Sequence, residues 1–161
     1  RAVSYIDTLL VIVSGHEGLL SVGSSTLYGD LVGGLAVIGD VLKRDVYALA
    51  RHANRDAPRI PAGSISKPPS AELAPGQKDE DALPPYPVLD EVLHQAIELG
   101  LPGDEIEPPH GATRETVAWI LRQIDRNEYK RRQAPVVLRV SQKAYGSGRR
   151  VPIVHRSGWG I

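Results

Sequence analysis

The most chemically informative part of this sequence is a fixed order of proline, hydroxyl, amide and carboxylate groups. An apolar helical pattern follows it. Together they occupy residues 67–90, where Lys67 precedes two prolines and Ser70 follows them. Because proline fixes its own backbone angle φ, the Ser70 hydroxyl is held with little loss of chain entropy. A polar and mostly acidic run comes next, formed by Gln77, Lys78, Asp79, Glu80 and Asp81. This arrangement favours a binding loop over a linker.

Two further groups of charges favour the binding of an anion. Lys43 falls near the start of a helical pattern for which Asp40 is a suitable N-cap, and both the helix dipole and an ammonium group attract anions. Residues 126–156 hold nine basic side chains against the single acid Glu128: Arg126, Lys130, Arg131, Arg132, Arg139, Lys143, Arg149, Arg150 and Arg156. Two interpretations of this basic segment stay open, a solvated tail or a surface for phosphates or an acidic partner.

The apolar patterns predict an α/β fold. A continuous β-rich run at residues 9–13 predicts a strand buried on both faces of a parallel sheet, and residues 35–38 form a second short apolar run. Helical spacing and capping residues predict helices near residues 19–27, 40–53, 87–99 and 113–124. Residues 57–84, rich in Pro, Gly and Ser, predict a long loop, and loops of this length in compact domains are usually functional or disordered.

Three motifs in register resemble the glutamine-dependent NAD+ synthetases. Residues 67–90 resemble the signature of that family, Ser25-Thr26-Leu27-Tyr28-Gly29-Asp30 fits upstream, and residues 128–135 and 148–153 fit downstream. The resemblance covers nearly the whole chain. It implies an adenine-nucleotide α-hydrolase-like fold, here an incomplete doubly wound parallel sheet. It also implies that residues 1–135 are the C-terminal part of the synthetase domain and that residues 136–161 form a C-terminal extension on the surface.

The resemblance implies a reaction and a set of contacts. The family adenylates the nicotinate carboxylate of deamido-NAD+ with ATP and Mg2+, and ammonia then displaces AMP. Residues 148–153 favour the type that draws its ammonia from glutamine. By position, Ser70 and Lys67 correspond to ATP-binding residues, with Glu72 as a second flanking charge, and Asp30, Lys43 and Lys130 correspond to contacts with deamido-NAD+. Five residues correspond to a lid that excludes water from the adenylate: Gln77, Lys78, Asp79, Glu80 and Asp81.

The sequence departs from the family pattern at positions that the reaction needs, so we do not expect the chain to catalyse it alone. Counted back from Tyr28-Gly29-Asp30, the Mg2+-ligating Glu of the family falls at Leu19, which offers no oxygen to the cation. Glu17 substitutes only if the loop shifts, so no metal ligand is assigned. The Ser-Gly-Gly-x-Asp-Ser loop and the glutaminase Cys of the family do not occur in this sequence. We therefore expect an inactive part of a longer enzyme, with upstream synthetase and glutaminase segments. The alternative is a non-catalytic remnant that keeps the family's dimer surface.

Composition narrows the classes of partner. The 161 residues suffice for one domain with a core, and a formal net charge of zero argues against nucleic acid as a general partner. No apolar run approaches the roughly 20 residues that span a bilayer, so no membrane partner is expected. The chain has no Cys, and its five histidines show no metal-ligand spacing. We expect a cytoplasmic protein that forms a homodimer or a larger oligomer.

Overall fold

Short parallel strands and α-helices make up the described part of this computed structural model, which comprises residues 10–71, 74–146, 148–154 and 159. In chain order the elements are β1 (Ile12–Val13), α1 (Glu17–Val22), β2 (Leu35–Ala36), α2 (Lys43–Ala53), α3 (Ala62–Ser66), α4 (Tyr86–Leu93), α5 (Arg114–Arg126), α6 (Glu128–Arg131) and β3 (Val136–Val137). A 3-10 turn at Asp79–Asp81 precedes α4, and a π-helical turn at His94–Glu98 extends it. The predicted α/β class with a parallel sheet is confirmed.

The sheet has β2 between β1 and β3, and both pairings are parallel. The register places Ile12, Leu35 and Val136 in one row, and Val13, Ala36 and Val137 in the next. Successive side chains along a strand point to opposite faces, so each row faces one side of the sheet. A Cβ built on Gly39 would lie 3.1–3.2 Å from Ala36, Leu20 and Val137, which places α1 on the side of the second row.

Two predictions about the strands need correction. The sequence predicts that the first strand is buried on both faces, whereas Ile12 is 57% exposed and only Val13, on the other side of the sheet, is buried, at 8%. Residue 9, the start of that predicted strand, lies outside the described residues. The sequence predicts no strand at Val136 and Val137, whereas the structure pairs them with β2. The division of the chain at residue 135 stays a prediction.

Helix α1 is shorter than the helix predicted near residues 19–27. It begins at Glu17 and ends at Val22, because Gly23 adopts a φ of 70° and donates its N–H to the Leu19 carbonyl. The Asn127 side chain closes this end by donating a 2.9 Å hydrogen bond to the Val22 carbonyl. A Cβ at Gly23 would lie 2.0 Å from Asn127 Oδ1, so this position requires glycine for both reasons.

The N-terminus of α2 is capped by a residue from α4. The Asp90 carboxylate accepts hydrogen bonds from the backbone N–H groups of Lys43, at 3.3 Å, and Arg44, at 2.7 Å. The prediction that Asp40 caps this helix is wrong. Its carboxylate instead accepts three hydrogen bonds of 2.6–2.8 Å from the segment that follows β3. The first amides of α2 therefore already have an anionic partner.

The hydrophobic core lies among α1, α4 and α5. The predicted apolar face of α5 is confirmed, since Val117, Ile120, Leu121 and Ile124 are at most 1% exposed. Thr113 caps α5 as predicted, by accepting a hydrogen bond from the Thr116 N–H. Pro87 lies in the first turn of α4, also as predicted. None of the helices in the described ranges is long and apolar enough to cross a membrane.

Three arginines of the basic segment surround one buried carboxylate, that of Glu128. Glu128 is only 4% exposed and lies 3.1 Å from Arg131, 3.0 Å from Arg132 and 4.0 Å from Arg149. Arg131 also donates to two carbonyls of α1, at 3.2 and 2.7 Å, and lies over the Tyr145 ring. The interpretation of the whole segment as a solvated tail is therefore wrong for Arg131, which joins α6 to α1. Arg156 lies outside the described residues.

Candidate functional site

A cleft beside the carboxyl end of β1 brings most of the predicted site residues together. Two cavities of about 430 Å³ each adjoin there. Asp30 lines the first cavity, and Lys43 and Lys67 line the second. Four residues line both: Ser14, Leu19, Ser70 and Asp79. Two of the three sequence motifs, residues 25–30 and 67–90, thus meet at one place together with Lys43.

A third cavity, of about 510 Å³, adjoins the second one at Lys67 and Ser70. Gln77 and Lys78 of the predicted lid line it. Ser70 is therefore common to all three cavities. Glu80 and Asp81 are exposed and do not line these cavities, and Glu72 lies outside the described residues.

The proline segment and the acidic turn position each other. Residues 68–70 follow α3 without regular structure, and the Asp79 N–H donates a 2.9 Å hydrogen bond to the Pro69 carbonyl. The Asp81 carboxylate accepts a 2.7 Å hydrogen bond from the Lys78 N–H and so starts the 3-10 turn. Ser70 and Asp79 are consequently held near each other, and both line the two 430 Å³ cavities.

Lys43 is a half-buried cation held between aromatic rings. Its ammonium lies 5.2 Å from the centre of the Tyr47 ring and 5.5 Å from that of Tyr86, within the range of cation–π attraction. Burial lowers the pKa of Lys43 below its ordinary value, and the carboxylates of Asp79 and Asp90 partly oppose that shift. Because Asp90 caps the helix that carries it, the attraction of Lys43 for a ligand anion comes from its side chain and not from the helix amides.

His16 lines the second cavity and Tyr86 packs against it, and the sequence predicts no functional role for either. The Tyr86 hydroxyl donates a 2.6 Å hydrogen bond to Asp79, and its ring packs edge-on against His16 with 5.3 Å between centroids. His16 is 3% exposed, and burial, then Lys43, lowers its pKa to about 3. His16 is therefore a neutral, packed ring. Tyr86 falls inside the motif at residues 67–90, but the sequence alone does not indicate its hydrogen bond with Asp79.

Asp30 and Lys130 are connected through one loop. The Asp30 carboxylate accepts hydrogen bonds from the Thr26 N–H, at 2.8 Å, and from the Thr26 hydroxyl, at 3.1 Å. Lys130 does not line the three cavities; its ammonium donates to the carbonyls of Gly23, at 2.6 Å, and Ser25, at 3.0 Å. In this structure Lys130 thus supports the loop that presents Asp30, instead of facing a ligand.

The cleft does not fit a divalent cation held by the side chains of this chain. Leu19, which stands at the expected ligand position, lines both 430 Å³ cavities with an apolar side chain. Glu17 is 3% exposed, and burial raises its pKa to about 8, so it is mostly a neutral acid at pH 7. Within the described ranges, no three His, Cys, Asp or Glu residues are grouped as metal ligands would be.

Comparisons with known proteins agree with the motifs that line the cleft. A family model for NAD synthase matches residues 2–134. The glutamine-dependent NAD(+) synthetase of Thermotoga maritima is 46% identical over 149 residues, which cover 91% of this chain and 26% of that protein. The enzyme of the same name from Acinetobacter baylyi is 46% identical over 152 residues, covering 93% of this chain and 28% of that protein.

A solved structure adds support for the fold. The crystal structure of a glutamine-dependent NAD(+) synthetase from Cytophaga hutchinsonii superposes with a TM-score of 0.63 and 22% identity, over 91% of this chain and 24% of that chain. The chain thus spans about a quarter of the length of the curated relatives it matches.

Proposed function

The chain belongs to the NAD synthase family, and we propose that its cleft binds ATP and deamido-NAD+ as part of a longer enzyme that amidates deamido-NAD+ to NAD+. The observation that carries this proposal is the convergence of Ser70, Lys67, Lys43 and Asp30 on adjoining cavities. Two ammonium groups and a hydroxyl on one wall suit the oxygens of phosphate groups. The Asp30 carboxylate suits a hydroxyl donor, such as those of a ribose.

The reaction needs positioning and exclusion of water more than it needs a nucleophile from the protein. An oxygen of the nicotinate carboxylate forms a bond to the α-phosphorus of ATP, and the bond to pyrophosphate breaks. Ammonia then attacks the acyl carbon, and AMP leaves with the electron pair of the broken bond. Ser70 and Lys67 hold the ATP phosphates, while Lys43 and Asp30 hold the dinucleotide. The segment from Gln77 to Asp81 shields the adenylate from water.

Mg2+ would reach the cleft only as a complex with ATP. The metal would neutralise phosphate charge when bound, but Leu19 and the protonated Glu17 offer it no carboxylate in the cleft. Lys43 and Lys67, which both line the second cavity, offset phosphate charge. At an effective dielectric constant of about 20, two opposite unit charges 4 Å apart attract by about 4 kcal/mol, which is enough for lysines to hold a polyphosphate.

Further features of the intact enzyme follow from the family. These are the adenine-nucleotide α-hydrolase-like topology, glutamine as the source of ammonia, a homodimer or larger oligomer, and a cytoplasmic location. Upstream synthetase and glutaminase segments would supply the pyrophosphate loop and the ammonia. The position of Leu19 favours one alternative, a remnant that keeps the fold and no longer does the chemistry.

Isothermal titration calorimetry of the chain with ATP, and separately with deamido-NAD+, distinguishes these two functions. We expect heat from at least one ligand. Replacing Lys43 by Ala removes a charge-assisted contact of about 1.5–3 kcal/mol, so the affinity falls roughly 10- to 100-fold. Ser70→Ala weakens binding less, and Arg55→Ala, at an exposed pair with Asp56, leaves it unchanged. The absence of heat from both ligands would favour the remnant.

A further inference from the structure

The second cavity of the cleft carries more groups that bind an anion than groups that bind a metal. Lys43 and Lys67 line it with two ammonium groups, and Ser14 and Ser70 line it with hydroxyls. An ammonium group donates hydrogen bonds and accepts none, and a hydroxyl donates one. Among the described residues that line this cavity, Asp79 is the one carboxylate. The charged side chains around the cavity therefore leave an excess of positive charge.

His16 adds a neutral hydrogen-bonding group to the same cavity. It lines the cavity and is 3% exposed, and neither of its ring nitrogens has a hydrogen-bond partner among the described residues. Its pKa, lowered to about 3 by burial and then by Lys43, keeps the ring uncharged at neutral pH, so one nitrogen donates and the other accepts. Buried polar groups without a partner are rare in folded proteins. A phosphate oxygen in the cavity would give the ring N–H an acceptor.

A divalent cation finds few ligands in this cavity. Leu19 lines it with an apolar side chain, and Glu17 lines none of the three cavities of the cleft. The carboxylate of Asp79 already interacts with the Lys43 ammonium, because it partly offsets the effect of burial on the pKa of Lys43. A dication that entered with the phosphates would therefore lie close to a cation and to an apolar side chain, while Mg2+ prefers oxygen ligands and retains several of its waters.

We propose that the second cavity holds a polyphosphate in its metal-free form, and that Mg2+ weakens this binding instead of strengthening it. Lys43 and Lys67 would bind phosphate oxygens of the kind that Mg2+ takes in its complex with ATP. A bound dication cancels part of the negative charge of the polyphosphate, so it lowers the attraction to both lysines. This inference deepens the proposed function and rests on it for the identity of the nucleotide, but not for the binding of phosphates.

Asp79 provides the competing interpretation. One carboxylate together with phosphate oxygens binds Mg2+ in many nucleotide sites, and Mg2+ would then tighten the binding of a polyphosphate. The surroundings of Asp79 disfavour this. Its carboxylate accepts a 2.6 Å hydrogen bond from Tyr86, and the Lys43 ammonium lies 5.5 Å from the centre of that ring. A dication at Asp79 would have to approach an ammonium group that is already there.

Isothermal titration calorimetry with inorganic tripolyphosphate tests the proposal without a nucleoside. The chain is titrated once in EDTA and once with Mg2+ in excess over the probe. The ionic strength is matched, because salt alone also screens the attraction between charges. We expect the dissociation constant to be about fivefold or more higher with Mg2+. Lys67→Ala should weaken binding in EDTA by about tenfold, since it removes one charge-assisted contact.

Replacing Leu19 by Glu should reverse the effect of Mg2+, and Leu19→Gln is the matched control. The new carboxylate would give the metal a second oxygen ligand besides Asp79. Tripolyphosphate should then bind Leu19→Glu more tightly with Mg2+ than in EDTA. Leu19→Gln should behave like the wild-type chain and bind less tightly with Mg2+. The same loss with Mg2+ in Leu19→Glu would contradict the role given to Leu19.

The outcomes separate this inference from the proposed function. Tighter binding of tripolyphosphate to the wild-type chain with Mg2+ would overturn the inference and leave the proposed function standing. No binding in either condition would also overturn it, as would binding that neither Lys43→Ala nor Lys67→Ala changes, because the anion would then lie outside the cavity. Binding that Mg2+ weakens, beside no heat from ATP or deamido-NAD+, would support the inference and count against the proposed function.

Discussion

The Tyr86 hydroxyl donates a 2.6 Å hydrogen bond to the Asp79 carboxylate and so joins the first turn of α4 to the acidic turn. Tyr86 is 7% exposed, and its ring lies 5.5 Å from the Lys43 ammonium. Burial, and then the bond to Asp79, raises the pKa of Tyr86 well above its ordinary value, so the hydroxyl remains a donor at neutral pH. One side chain therefore positions both the acidic turn and the cation of the cleft.

Removing that hydroxyl should loosen the acidic turn while the core stays folded. Tyr86→Phe deletes a hydrogen bond to a charged group, worth about 1.5–3 kcal/mol, and keeps the ring. We expect limited proteolysis within residues 74–82 to become several-fold faster. Tyr129→Phe is the matched control, at a ring that is 41% exposed. Equal cleavage rates in the two variants would show that Tyr86 does not hold the turn.

Replacing Leu19 by Glu should introduce a metal site into the cleft. The new carboxylate would lie on the wall shared with Asp79, and two carboxylates supply the oxygen ligands that Mg2+ and Mn2+ prefer. We expect Mn2+ affinity, measured by electron paramagnetic resonance, to rise about tenfold or more over wild type. Leu19→Gln, which adds a neutral side chain of similar size, is the control. Similar affinities for the Glu and Gln variants would show that other groups control metal binding.

Replacing Glu17 by Gln should change how stability depends on pH. Burial, with help from Asp40, raises the pKa of Glu17 from 4.5 to about 8. Between these values the folded chain keeps a proton that the unfolded chain releases, so the stability of wild type falls as pH rises from about 4.5 to 8. Glu17→Gln removes this titration, so it should be more stable than wild type at pH 8, by on the order of 4 kcal/mol, and equal to it near pH 4.

Urea unfolding of both proteins at pH 4, 6 and 8 measures that difference. His16, with its pKa lowered to about 3, gives the opposite slope below pH 6.5, but the slope is common to both proteins and cancels in their difference. Glu80→Gln, at an exposed acid, is the matched control. A difference between Glu17→Gln and wild type that is the same at pH 4 and pH 8 would mean that Glu17 ionises as an ordinary carboxyl group.

Breaking the buried ion pair of α6 should cost far more stability than breaking an exposed one. In the Glu128–Arg131 pair the side chains are only 6% and 3% exposed. Glu128→Gln leaves Arg131 without its counter-charge, so the free energy of unfolding should fall by about 3–5 kcal/mol. Asp56→Asn, at the exposed pair with Arg55, should lower it by about 1 kcal/mol or less. Similar losses in urea unfolding would contradict the structural role of Arg131.

Patterns confined to one segment were sufficient to predict part of this structure. Thr113 and the apolar spacing of α5 predicted that helix correctly, since a cap and a buried stripe are encoded within about one helix length. The helix after Asp40 was also predicted, but not its cap. The capping carboxylate is that of Asp90, 47 residues from Lys43, and no local pattern indicates such a distant partner.

In the cleft, too, the sequence indicated individual residues but not the contacts between distant segments. The motifs indicated Ser70, Lys43 and Asp30, and these residues line adjoining cavities. The Tyr86–Asp79 hydrogen bond and the capping of carbonyls by Lys130 depend on how segments fold back on one another. The single-residue mismatch at Leu19 was visible in the sequence. Its place on the wall between the two cavities required the structure.

Nuclear magnetic resonance of the 15N-labelled chain, titrated with ATP and then with deamido-NAD+, tests the central claim most directly. If one cleft holds both nucleotides, the largest changes in amide chemical shift should occur together at Lys43, Ser70 and Asp30. The Lys43→Ala variant should weaken the response at all three. Shifts confined to Arg139, Lys143 and Arg150 of the basic segment, or no shifts with either ligand, would contradict the claim.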